Sequence, residues 1–315
     1  MEIPENTTEY LSPTYWNERF KVEDAYEWLG SYECFAPELR QYLREERQSG
    51  DAPGPSLGSF DRVLVVGNGN SRMGQRVALD RELVSEPEAC CITDIAPVVV
   101  DKSRENARLG RFGAGAAAAG DGKDEEADPR LARASWAVCD MLNMPFRSHS
   151  IDLIIEKGAM DVLEVDRGKD PWHPNERTTE RMHRWLAECH RILAPGGLLI
   201  SLSFAQPHFR RLAFDAKGYS WIVRDLAYTT EESYTAAADS DSAEGAPALA
   251  KVKGIWEYFI YFARKGERDP DRAYSRREAG RGNGEDDGDG AGRWALGVDE
   301  EDLEDREDFL MQMGL

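Results

Sequence analysis

The apolar run VLVV at 63–66 leads directly into Gly67-Asn68-Gly69-Asn70-Ser71. Two glycines one residue apart after a buried strand let the backbone turn tightly and approach a ligand, and the helix that follows presents free N–H groups. Asp94 stands 25 residues beyond Gly69 at the end of a second apolar run, Asp140 ends a third (AVCDM), and Lys157 ends a fourth (IDLIIEKG). A carboxylate at the second strand end can accept both hydroxyls of a ribose. One at the third can accept the adenine amino group, with Met141 against the ring. Either acid alone could instead cap a strand end or helix start; Gly-x-Gly, Asp and Asp in this order fit an adenosyl ligand. A dinucleotide fingerprint needs a third glycine at position 72, where Arg72 stands, and no GxxxxGK[ST] phosphate loop is present. The set therefore favours S-adenosylmethionine over NAD. Lys157 could pair with the methionyl carboxylate, or it could be a solvated strand-end lysine.

Such residues work together only if a sheet brings their strand ends to one edge. Strands are expected at 61–67, 89–95, 135–141, 151–158 and 197–205, and helices at 36–48, 72–84, 97–109 and 179–193. In the last helix Met182, Trp185, Leu186, Cys189, Ile192 and Leu193 share one face. It should stop at Pro195-Gly196-Gly197, a turn expected to continue neither helix nor strand. Alternation of strand and helix predicts an α/β fold: a mostly parallel sheet with helices on both faces and ligands at the carboxyl ends of the strands. Two aromatic runs, 219–228 and 255–264, predict an antiparallel hairpin closing the sheet edge.

Residues 1–265 read as one domain interrupted by low-complexity loops at 110–130 and 235–250, with a short linker at 49–59. Residues 266–315 read as an acidic, mostly disordered tail with a more apolar end, DFLMQMGL. A net charge of −20 argues against a direct nucleic-acid partner and suits a basic protein partner. The five cysteines Cys34, Cys90, Cys91, Cys139 and Cys189 are odd in number and lack ligand spacing, so reduced core thiols and no metal are expected. The N-terminus has no signal pattern and no apolar run approaches a membrane span, which predicts a soluble, cytoplasmic protein with no membrane partner.

Longer stretches carry a resemblance. They are TYWNERF (14–20), YEWLG (26–30), VLVVGNGNSRM (63–73), IDLIIEKGAMDVL (151–163), DPW (170–172), RILAPGGLLISLSFAQPHFR (191–210), YSW (219–221) and EDFLMQMGL (307–315). With them the chain resembles the seven-stranded S-adenosylmethionine-dependent methyltransferases, and within these the methyltransferase-like group of elongation factor 1-alpha lysine methyltransferases. The resemblance covers most of residues 13–265 and implies a Rossmann-like seven-stranded sheet. It implies cofactor contacts from Trp16, Phe20 and Trp28, with Gly67 under the methionyl part and Asp94 and Ile95 at the ribose. It also implies Asp140 and Met141 at the adenine and Lys157 near the methionyl end. The implied activity is protein-lysine N-methylation, with elongation factor 1-alpha as substrate. Two positions depart from the group: Asn68 replaces the cysteine of GCGNS, and Ala159-Met160 replaces Thr-Leu at the substrate lip.

Methyl transfer to nitrogen is an in-line displacement, so the protein's main task is placement, and the amine must be neutral. Glu156 and Asp161 are candidate catalytic residues that could attract and orient the amine. Tyr219, Trp221, Trp256 and Tyr258 could wall the site, with His208 at its rim. The same cofactor site would also serve a small-molecule methyltransferase or a cofactor-binding scaffold without turnover. Base methylation is disfavoured, because EKGA replaces the [DN]PP[FY] motif it uses.

Overall fold

All four residues of β1 (Val63–Val66) are buried, as they must be when helices cover both faces of a parallel sheet. Val63 and Val65 pack into one layer and Leu64 and Val66 into the other, following the period of two. This computed structural model describes residues 4, 6–49, 59–112, 128–166, 168, 174–214, 220–237 and 249–266. Tyr219, DPW, most of the expected linker and loops at 49–59, 110–130 and 235–250, and nearly all of the expected tail lie outside them.

Parallel to β1 run β2 (Cys90–Asp94), β3 (Ser135–Val138), β4 (Ile151–Lys157) and β5 (Leu193–Ser203). The antiparallel pair β6 (Trp221–Ala237) and β7 (Leu249–Lys265) completes a seven-stranded sheet in the order β3-β2-β1-β4-β5-β7-β6. The expected hairpin therefore forms, with β7 inserted beside β5 and β6 left at the edge. Both of its strands run 17 residues, well beyond the aromatic runs that announced them. Strand order reverses between β1 and β4, and the cleft at that switch point is where a ligand fits.

The helices are α1 (Pro13–Val22), α2 (Tyr32–Ser49), α3 (Met73–Leu79), α4 (Pro97–Arg108), α5 (Ala159–Val162), α6 (Glu176–Ile192) and α7 (Pro207–Phe214). On one face Phe35, Leu39 and Leu43 of α2 and Val77 of α3 pack on Val65, Ile155 and Ile200. On the other, the predicted stripe of α6, with Trp185 fully buried, packs on Leu64, Ile154 and Leu199. Among the described residues no helix is long and apolar enough to cross a membrane, and no cluster of side chains could hold a metal. All five cysteines are free thiols.

Several boundaries differ from expectation, among them β3, which ends at Val138 short of the expected 141, and two have local reasons. α3 ends at Leu79, short of the expected 84, because Asp80 turns extended and its carboxylate accepts bonds from Tyr32 Oη at 2.6 Å and Arg40 Nη2 at 2.8 Å. Pro195-Gly196-Gly197 does not stop the strand. β5 begins at Leu193, directly after α6, and the residues bulge between the pairs Ile151–Leu193 and Leu153–Leu198. Gly196 there holds φ +71°, which suits glycine, and its carbonyl accepts from Arg264 Nη1 at 2.8 Å.

Candidate cofactor site

The turn after β1 depends on its two glycines: Gly67 and Gly69 hold φ of +62° and +55°. A Cβ on Gly67 would lie 2.5 Å from the Ala159 Cβ, and one on Gly69 would lie 3.3 Å from Phe20 Cζ. Asn68, the departure from GCGNS, is buried and staples the turn. Its Nδ2 donates to Ser71 O at 2.9 Å, and its Oδ1 accepts from Gly74 N at 2.8 Å. Gly74 was missed in the sequence. A Cβ there would stand 2.7 Å from both Asn68 Oδ1 and Ile92 Cγ2, so the third close-packing glycine is present two positions beyond the place a dinucleotide fingerprint assigns it. The signal was a glycine one residue inside α3.

Asp94 ties the second strand end to this turn. Its carboxylate accepts the N–H of Gly69 at 2.8 Å and of Ala96 at 2.9 Å, and burial pushes its pKa above the ordinary carboxylate value. Above the turn opens a cavity of about 340 Å³. Trp16, Phe20, Trp28, Gly67, Gly69, Asp94, Ile95, Asp140, Met141 and Lys157 all line it. Asp140 is exposed and accepts Leu142 N at 2.8 Å. α1 supplies one wall: Trp16 stacks on Phe20 at 5.6 Å, anchored by its indole N–H on Tyr10 O at 2.7 Å. Tyr10, Tyr26 and Phe204 add aromatic wall beyond the residues expected from sequence. These residues fit a group with a ribose, an adenine and a charged amino-acid end. The floor is free of the Cβ atoms that would fill it, acids stand at two strand ends and an ammonium at a third.

The lip of β4 differs from expectation. Glu156 does not line the cavity. Side chains alternate along a strand, so Lys157 faces the layer of α2 while Glu156 faces the other one. There it is fully buried, bonded to the Ser201 hydroxyl and to Met160 N at 3.0 Å. Burial, reinforced by the negative charge of Asp161, raises its pKa to about 7. Asp161 does line the cavity, with its carboxylate accepting from Ser203 Oγ at 2.6 Å and ion-paired with the fully buried Arg210. Trp221 sits against His190 and Phe214, Tyr258 against Tyr228, and Trp256 against the α2-side core, so none of these three walls the cavity. His208 rests on the Phe209 ring at 4.1 Å, also outside it. Aromatic composition marked Trp221, Trp256 and Tyr258, but their strand register turns them toward the core.

A glycine turn at the switch point, acids at the next two strand ends and an antiparallel pair at one edge form the architecture of an S-adenosylmethionine-dependent methyltransferase. Residues 64–201 match the family model described as a methyltransferase domain. The chain is 30% identical over 230 residues to EEF1A lysine methyltransferase 4 of Bos taurus, covering 72% of this chain and 74% of that one. Identity to the Mus musculus protein of the same name is 28% over 232 residues, covering 73% and 75%. With the Homo sapiens eEF1A lysine and N-terminal methyltransferase it is 26% over 230 residues, which take up 70% of this chain and 26% of that one. The chain belongs to the S-adenosylmethionine-dependent methyltransferase family that includes EEF1A lysine methyltransferase 4.

Proposed function

We propose that this protein transfers a methyl group from S-adenosylmethionine to a lysine side chain of elongation factor 1-alpha. The observation that carries this reading is a 30% identity extending over 74% of a relative whose name states that activity. In this reading Asp94 and Ile95 hold the ribose, Asp140 and Met141 the adenine, and Lys157 the methionyl carboxylate. Gly67 and Gly69 allow close approach, and Trp16, Phe20 and Trp28 cover the ligand. S-adenosylmethionine supplies a methyl group on a sulfonium, open to in-line attack.

The residues of this chain must then admit a lysine whose ammonium has released its proton to bulk water on entering. A free lysine has a pKa of about 10.4, and an aromatic, poorly hydrated entrance favours the neutral amine by desolvation. Trp28 and Phe204 give the cavity aromatic lining of this kind, with the exposed Tyr26 beside Trp28. Asp161 attracts the incoming ammonium, tempered by the charge of Arg210. Residues 1–265 serve as the methyltransferase domain and 266–315 as an acidic appendage. The net charge of −20 favours a basic protein over nucleic acid as partner, and a cytoplasmic location follows from the proposed substrate.

The test is to incubate the full chain with labelled S-adenosylmethionine and purified elongation factor 1-alpha, with mass spectrometry of the product. A methylated lysine in that factor is the expected result. Label confined to small molecules of a matched lysate would replace the protein substrate with a metabolite.

A further inference from the structure

The segment between α1 and α2 crosses over the glycine turn and is fastened there. Asn70 Nδ2 donates to Glu23 Oε2 at 3.1 Å. Glu27 accepts three bonds: from Ser71 Oγ at 2.6 Å, from the Arg72 N–H at 2.7 Å and from Lys157 Nζ at 2.7 Å. Lys157 Nζ donates a second bond to Gly30 O at 2.7 Å. Leu29 and Gly30, at φ +58° and +79°, bring that carbonyl round, and Tyr228 Oη holds Leu29 O at 2.7 Å from β6. The Lys157 side chain is only 3% exposed and lines the cavity. An ammonium has three N–H groups, so two fixed acceptors leave one donor with one direction.

We propose that Glu27 is a positioning residue for the methionyl end of the cofactor. It clasps the N-terminal strap to the glycine turn and pins Lys157 against Gly30 O, so that the third Lys157 N–H points at the cofactor carboxylate. This rests on assigning the cavity to S-adenosylmethionine. Glu27 does not line the cavity, and it acts through Lys157 and the turn. The pair also limits the cost of burying an ammonium, because a buried charge is tolerated when it is paired and hydrogen-bonded.

Calorimetric titration of the full chain with two ligands separates positioning from mere fastening. S-adenosylhomocysteine carries the amino-acid end, and methylthioadenosine keeps the adenosine and sulfur without it. Glu27→Gln is expected to weaken S-adenosylhomocysteine by about tenfold or more, the usual scale for a supporting residue. Methylthioadenosine should shift by less than about threefold, and Glu27→Asp should bring S-adenosylhomocysteine back to within about threefold of the parent. Should the Gln variant not fold, the comparison is made in a Lys157→Met background, which leaves no orphaned ammonium. Adding Glu27→Gln there should change S-adenosylhomocysteine affinity by less than about threefold, because Glu27 acts through Lys157, and a further loss of about tenfold would overturn the proposal. For Glu27→Gln alone, equal losses for the two ligands, or unchanged S-adenosylhomocysteine binding, would overturn the proposal. A parent chain that binds neither ligand would instead overturn the cofactor assignment beneath it.

Discussion

Glu156 and Lys157 are neighbours in the chain and lie on opposite sides of the sheet. Lys157 lines the cavity 2.7 Å from Glu27, while Glu156 is sealed against Ser201 and α5 in the other layer. The acid expected at the substrate lip is therefore a core residue with a structural effect.

That placement makes stability depend on pH. Burial raises the Glu156 pKa from 4.5 to about 7, so the folded state holds its proton where the unfolded state has released it. Stability from this group is complete below about pH 4.5 and is lost as pH rises toward 7. Glu156→Gln, neutral at every pH, should raise the melting temperature relative to the parent more at pH 8 than at pH 5. A difference between variant and parent that stays constant across that range in differential scanning fluorimetry would show that Glu156 does not titrate there.

Gly67→Ala should abolish cofactor binding. Its Cβ would meet Ala159 at 2.5 Å in a backbone held at φ +62°, so the turn must shift where the ligand approaches it. Titration with S-adenosylhomocysteine should show at least about a hundredfold loss if the turn moves away from its ligand. Parent-like affinity would place the ligand elsewhere.

Asp94→Asn tests the joint between β2 and the turn. Each carboxylate oxygen now accepts one backbone N–H, from Gly69 and from Ala96, and an amide offers only one acceptor oxygen. One of those N–H groups would face an NH₂, and the ribose hydroxyls would lose an acceptor. Affinity for S-adenosylhomocysteine should fall by about tenfold or more, with the melting temperature of the free protein also reduced. A loss of affinity without any loss of stability would assign Asp94 to the ligand alone.

Asp161→Asn should unfold the protein more readily. It removes the nearest counter-ion of Arg210, which has no exposure, and among the described residues leaves it paired with Glu164 Oε2 at 3.5 Å. Breaking a buried pair from one side costs about 3–5 kcal/mol, and Glu164 should hold the loss near the lower figure. Urea denaturation measures it. Adding Arg210→Met should recover more than half, because no orphaned charge remains. If the single variant keeps its parent midpoint, the pair does not anchor α5 to α7.

The sheet was legible because its strands are continuous apolar runs and its principal helix carries an unbroken stripe from Met182 to Ile192. Burial pattern belongs to local sequence, and so did the residues at the strand ends: Gly67, Gly69, Asp94, Asp140 and Lys157 all reach one cavity because parallel strands end at one edge. The resemblance added Trp16, Phe20, Trp28 and Ile95 to the same wall. Where a turn residue has two possible uses, local sequence does not choose. Pro195-Gly196-Gly197 reads as a stop and is a bulge, because pairing with β4 on one side and Arg264 on the other keeps the strand in the sheet.

The sequence by itself determined which residues could meet a ligand, since type and strand position set that. Tertiary structure decided what each of them faces. It turned Glu156 into the core by one step of strand alternation and sent Trp256 and Tyr258 inward by register with β6. It also brought Glu27, 130 residues away in sequence, onto Lys157. Contacts of that kind depend on how the chain crosses over the sheet, and no local pattern of side chains records the crossing.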